Sequence, residues 1–156
     1  MPATDADTCL SCEQNARINK LPPRDRIAVD PHWRVAHAFG TTVPGWLVLL
    51  PRRHVTAIAE LTDAEAAVLG EWQVRLSRAL YAVTGCAKTY VAQFAEAEGF
   101  AHVHFHVIPR MRNAPEELCG PKVFSLLGRP EAEGISRAQR DVLASRISVH
   151  LTAPAA

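Results

Sequence analysis

Three histidines stand within five positions: His102, His104 and His106, separated by Val103 and Phe105. An imidazole is a metal ligand, a nucleophile or a proton donor near neutral pH. In a β-strand, residues i, i+2 and i+4 point to one face, so the three rings share a side about 6.6 Å apart. Val103, Phe105 and Val107 then turn the other way, into a core. Two chemistries compete for such a row. In one, His102 and His104 form an HxH pair that binds zinc and activates water. In the other, the middle ring, His104, is a covalent nucleophile and its neighbours do other work. The plain alternative is a run of half-exposed polar residues. A second group lies far upstream, where Cys9 and Cys12 make a CxxC pair. That spacing suits a redox couple, half of a zinc site, or two spectator thiols. Cys86 and Cys119 read as ordinary structural cysteines.

The elements that position these residues follow from periodicity and punctuation. Residues 26–29 and 33–39 are short strand candidates across the turn-like Asp30-Pro31. The apolar run 46–50, after Pro44-Gly45, reads as a buried strand. Thr62 and Glu65 form a capping box for one long helix over 63–83. Leu69, Trp72, Leu76, Leu80 and Val83 share a face of it, and Gly85 stops it. Strands follow over 89–94 and 102–108, the latter ended by Pro109. Ser136, with Gln139 three residues on, caps a last helix near 137–149. Strands, one long helix and two more strands predict an α+β domain with an antiparallel sheet. The domain is expected over 9–112, with a loose N-terminus at 1–8 and a C-terminal helical extension over 113–156. Trp33, Trp46 and Trp72 are assigned to the core or to a dimer contact, with Trp46 also a candidate for a pocket wall.

Composition bounds the function. The chain has 156 residues, enough for one domain with a real core. A net charge of +1 gives no general reason to bind nucleic acid or an acidic membrane. No apolar run approaches the ~18–20 residues of a membrane span. The first eight residues carry two Asp and no basic cluster, unlike a secretory signal, so a cytoplasmic location is expected. No P-loop, GxGxxG or GxSxG motif occurs.

Residues 102–108, His-Val-His-Phe-His-Val-Ile, resemble the HφHφHφφ signature of the histidine-triad (HIT) family of nucleotide hydrolases and transferases. Residues 45–55, GWLVLLPRRHV, are similar to that family's GhxLVIPKRHV segment, and Cys9-Leu10-Ser11-Cys12 is similar to its N-terminal CxFC. Together they point to the zinc-containing, bacterial-type branch. The resemblance implies a HIT-like fold with a five-stranded antiparallel sheet, in a homodimer that joins two sheets. It implies that His104 attacks the α-phosphorus of a nucleotide ester, anhydride or phosphoramidate and forms a nucleotidyl-histidine. A backbone carbonyl beside the first histidine would fix the tautomer of His104, and His106 would contact the phosphate and assist the leaving group. It also implies one structural zinc per chain on Cys9, Cys12, His54 and His102, which leaves His104 free to attack.

The chain departs from the family pattern at four places. Trp46 stands where members carry a histidine, and Ala38 where they carry the acid that binds the ribose hydroxyls. Upstream of the triad, Gln93 takes the place of an amide donor and Gly99 offers a backbone N–H, both as phosphate-binding candidates. Glu96 and Glu98 bring negative charge to that loop, which opposes an anion unless they point away. Arg52, Arg53, Arg110 and Arg112 are either compensating phosphate contacts or plain surface charge. A nucleotide or other phosphorylated small molecule is the expected partner. A zinc–water hydrolase and a non-catalytic binding protein on the same scaffold are the alternatives.

Overall fold

A computed structural model of the chain describes residues 8–152. The loose N-terminus expected at 1–8 falls outside those residues except for Thr8, exposed in a turn. The elements in chain order are α1 (Leu10–Ala16), β1 (Ala28–Val29), β2 (Trp33–His37), β3 (Leu47–Pro51), α2 (Asp63–Ala67), α3 (Leu69–Thr84), β4 (Lys88–Ala92), β5 (Phe105–Arg110) and α4 (Arg137–Thr152). The sheet is five-stranded and antiparallel throughout, in the order β1-β2-β3-β5-β4.

The punctuation works as its chemistry requires. Asp30 Oδ1 accepts from the backbone N–H of His32 and Trp33 and closes the turn between β1 and β2. Thr62 and Glu65 form both bonds of the capping box. Gly85 adopts φ 69°, ψ 22°, the left-handed stop that a glycine supplies without strain. Gly45, at φ 87°, is required twice over, because a Cβ there would meet Leu80, Thr84 and Pro109 at 3.1–3.4 Å.

Two expectations are corrected. The single helix expected over 63–83 is α2 and α3, interrupted at Val68, whose φ −102°, ψ −1° lies at the edge of the right-handed helical region. The strand expected at 102–108 pairs only from Phe105 and runs through Pro109 to Arg110. The β3–β5 register, Leu47 opposite Val107, would bring Val103 opposite Pro51. Instead the chain bends: the Val103 N–H bonds the Val55 carbonyl, and the Pro51 carbonyl accepts from the His102 ring. Pro109 is tolerated because β5 pairs with β3 only over 105–107, so at Pro109 just the β4 side carries a ladder.

One core lies between the sheet and the helices. It gathers Trp33, Val35, Leu47, Leu49, Val103, Phe105 and Val107 from the sheet side, and Trp72, Leu76, Ala79 and Leu80 from α3. Ala144, Ile147 and Leu151 of α4 belong to the same cluster, so the last helix completes the core. The opposite face of the sheet carries a smaller cluster, where Trp46, Ile108 and Ala38 meet Val123, Phe124, Leu126 and Leu127 of the 3-10 segment Gly120–Leu126 and its end. The segment 113–152 thus covers both faces of the sheet.

Candidate active site and metal centre

The helix α1 is only seven residues long and buries none of them, yet it brings two thiols to the sheet. Cys9 stands at its N-cap, and its sulfur accepts from the Cys12 N–H. Cys9 Sγ lies 3.4 Å from His102 Nδ1, Cys12 Sγ lies 3.2 Å from His54 Nδ1, and Cys12 Sγ lies 3.6 Å from His102 Nδ1. All four donor atoms fall within 4.8 Å of one another. Zinc–sulfur bonds of about 2.3 Å and zinc–nitrogen bonds of about 2.0–2.1 Å at a tetrahedral angle separate S from N by about 3.6 Å, so these spacings fit one zinc ion.

The proton positions agree. His102 Nε2 sits 2.8 Å from the Pro51 carbonyl, which only accepts, so Nε2 carries the proton. Burial, more than any neighbour, pushes this ring down to about 4, so it is neutral and its Nδ1 lone pair faces the two sulfurs. A ligand ring whose other nitrogen is tied to a backbone carbonyl is the arrangement that orients metal-bound histidines. Burial and then Cys9 push the Cys12 thiol up to about 11, so a bound cation is what makes it a thiolate near neutral pH.

Next along the chain, His104 turns away from this cluster. Its Nδ1 donates to the His102 carbonyl at 2.8 Å, which leaves the Nε2 lone pair of the neutral ring uncommitted. The His106 ring lies edge-on to it, with centroids 4.8 Å apart. His106 is buried and pushed down to about 4, first by burial and then by His104. Both rings line a cavity of about 230 Å³. Its floor follows the sheet register, with Ala36, Val48 and His106 in one cross-strand row and Arg34 beside Leu50 in the next. Leu10, Ser11 and Gln14 of α1 form one wall, and Leu127 and Gly128 another. A shallower groove of about 560 Å³ lies between residues 21–29 and α4; Ser145 and Ser148 line it, with no histidine, cysteine or carboxylate beside them.

The remaining sequence-stated residues fall in different places. Ala38 lines the cavity, where a small apolar side chain replaces the acid of the pattern. Gln93 is half-buried and Gly99 exposed, and neither lines the cavity; Ala97, between them, and Phe100, just after Gly99, do. Glu96 and Glu98 are exposed and outside the lining, so their charge is turned from the site. Arg52 donates to the Asp30 carbonyl, and Arg53 forks onto Glu65. Neither these two nor Arg110 or Arg112 lines the cavity. Trp46 is fully buried beneath His106 rather than in the wall.

Sequence reasoning missed three contributors. Arg34, 1% exposed, lines the cavity and donates to Asn15 Oδ1, the Asp25 carbonyl and Gln14 Oε1. Burial pulls it down to about 10, which still leaves a cation. His37 donates to the Ala38 carbonyl at 2.7 Å and accepts the Gly45 N–H at 2.9 Å. Phe124 stacks edge-on against both His106 and Trp46. Only Arg34 left a signal, a charged residue in the middle of an apolar strand.

The family profile for the HIT domain matches residues 20–113. The chain belongs to the HIT family. Among solved structures, a HIT-like protein involved in cell-cycle regulation from Bartonella henselae superposes with a TM-score of 0.68 at 17% identity, over 88% of this chain and 93% of that one. A zinc-bound histidine triad protein from Mycobacterium smegmatis gives 0.67 at 17% identity, over 94% and 96%. A histidine triad protein from Bradyrhizobium japonicum gives 0.66 at 22% identity, over 87% and 95%. These likenesses show the HIT-like fold. A search among curated proteins finds no match to this sequence. The HIT profile begins after Cys12, so half of the Cys2His2 set is this chain's N-terminal addition to the matched region.

Proposed function

We propose that this HIT protein is a nucleotide hydrolase or nucleotidyltransferase that works through a covalent nucleotidyl-histidine on His104. The observation that carries the reading is the bond from His104 Nδ1 to the His102 carbonyl, which commits Nδ1 as the donor and leaves Nε2 as the attacking nitrogen of a ring that lines the cavity. Nε2 attacks phosphorus and a P–N bond forms. The bond to the leaving group breaks, and that group departs with the electron pair and takes a proton from water. The positive charge gained by the ring is eased by the His102 carbonyl. Water or another acceptor then attacks phosphorus, breaks the P–N bond and returns neutral His104. His106 is the phosphate-side donor, and Gln93 and Gly99 are rim donors of lesser weight.

The Cys9, Cys12, His54 and His102 donors form a closed set, which supports a structural zinc and leaves no position for a metal-bound water. The zinc-bound relative from Mycobacterium smegmatis supports the same assignment. When bound, zinc supplies cross-linking of α1 to the sheet. The cysteines are free thiols, which suits a reducing, cytoplasmic setting. The substrate class is a nucleotide anhydride, ester or phosphoramidate. Ala38 removes the acid of the family pattern from its usual place, while the cavity lining still includes Asp25.

The test is His104→Asn, which keeps a donor towards the His102 carbonyl but has no nucleophile. The variant should fold with the wild-type melting temperature and lose turnover by at least about 10³-fold, the scale seen when a nucleophile is removed. Near-wild-type turnover on the best phosphorus substrate would overturn the covalent mechanism. Binding without turnover in both proteins would favour a non-catalytic binding role.

A further inference from the structure

Trp46 Nε1 lies 3.0 Å from His106 Nδ1, and the two rings meet edge-on at 5.7 Å. An indole N–H only donates, so Nδ1 must accept, and the single proton of the neutral His106 ring is then on Nε2. We propose that Trp46 is a positioning residue that fixes His106 as the Nε2–H tautomer, so that this ring presents a hydrogen-bond donor to the phosphoryl group held at His104. The inference rests on the proposed function for the identity of that group, but not for the tautomer itself.

The geometry is over-determined. Trp46 is fully buried and cannot swing away. Phe124 packs edge-on against both partners, 5.3 Å from Trp46 and 5.0 Å from His106, and wedges the pair in place. Trp46 itself stays out of the cavity lining, whereas His104 and His106 are in it. The neighbouring imidazoles therefore have opposite assignments. The His102 carbonyl makes Nδ1 of His104 the donor, and the Trp46 indole makes Nδ1 of His106 the acceptor. One ring keeps a lone pair for phosphorus, and the other keeps an N–H for its oxygens. A histidine in place of Trp46 makes the same bond only in one of its own tautomers, whereas an indole has no acceptor state to fall into.

The test reads the tautomer directly, by imidazole nitrogen NMR on 15N-labelled protein at neutral pH without substrate. In the wild type, His106 should show an unprotonated Nδ1 and a protonated Nε2. Trp46→Phe removes the N–H and keeps an aromatic ring. It should show His106 with Nδ1–H populated, and kcat lowered roughly tenfold or more while KM moves less than about twofold. Trp46→His, which can donate in the same direction, should restore the tautomer and most of kcat. A wild-type His106 protonated on Nδ1 would overturn the inference, and that reading needs no variant to fold. An unchanged tautomer in folded Trp46→Phe, or a changed one with full kcat, would overturn it as well. If the wild type turns over no phosphorus substrate, the proposed function falls while the NMR result still decides the tautomer.

Discussion

Burial governs His37, His102 and His106 before any partner does. His37 and His106 both fall to about 4 from an ordinary 6.5, with desolvation the largest cause in each. Above pH 6.5 neither the folded nor the unfolded chain binds these protons, so their contribution to stability is complete. Between 6.5 and about 4 the unfolded chain takes up protons that the folded one refuses. Stability therefore falls on acidification, by about 2 kcal/mol for each ring at pH 5. Urea unfolding at pH 7.5 and pH 5 checks this, and His37→Gln should remove about a third of the difference, because His102 is pushed down as far as His37 and His106. Equal stability at both pH values would contradict it. Residue types and spacing made the triad and the CxxC legible without a structure. The bond from His104 to the His102 carbonyl was expected from the family resemblance, whereas those that fix His102 and His106 were not, because they depend on the Pro51 carbonyl and the Trp46 indole arriving from elsewhere in the chain.

At the scale of elements, α1 is the weak member. Seven residues make a marginal helix alone, and α1 has no buried apolar face to hold it. It is tied down by Cys9 and Cys12 in the metal cluster and by Asn15, which donates to the Pro51 and Arg52 carbonyls and accepts from Arg34. Because Leu10, Ser11 and Gln14 wall the cavity, the same ties shape the pocket. Purified protein should contain one zinc per chain. A strong chelator, or Cys9→Ser, should lower the melting temperature, read by circular dichroism, and expose α1 to proteolysis first. Full stability in chelator with activity abolished would instead mark a catalytic zinc. The sequence could not announce α1, since a CxxC followed by polar residues carries no helical apolar repeat. Nor could it announce the break at Val68, where the apolar repeat continues across two helices.

At the scale of the molecule, the strands were readable because each alternates or runs apolar between turn residues, but their order was not, since β5 inserts between β3 and β4. The destination of residues 113–152 was not readable. Their spacing is plain in α4, yet which face of the sheet they cover is a tertiary matter, and they cover both. One edge of the sheet, β4, leaves Val91 exposed, and the adjoining α3 exposes Val74 and Tyr81. The Ser77–Thr89 hydroxyl contact at 2.7 Å sets that helix beside the strand. An open strand edge flanked by apolar side chains supports the proposed homodimer, with the two sheets joined there. Sedimentation equilibrium should give twice 17.1 kDa, and Val91→Lys should return the monomer. A wild-type monomer at micromolar concentration would contradict that arrangement.

The covalent intermediate is the central claim, and intact mass tests it most directly. The protein is mixed briefly at neutral pH with a pool of nucleoside phosphoramidates and dinucleoside polyphosphates, beside His104→Asn. The account predicts a mass increase of one nucleotidyl group on the wild type alone, with its size naming the nucleotide. Turnover of a pool member by the wild type with no adduct under rapid alkaline quench, which preserves a P–N bond, or an equal adduct on His104→Asn, would contradict it.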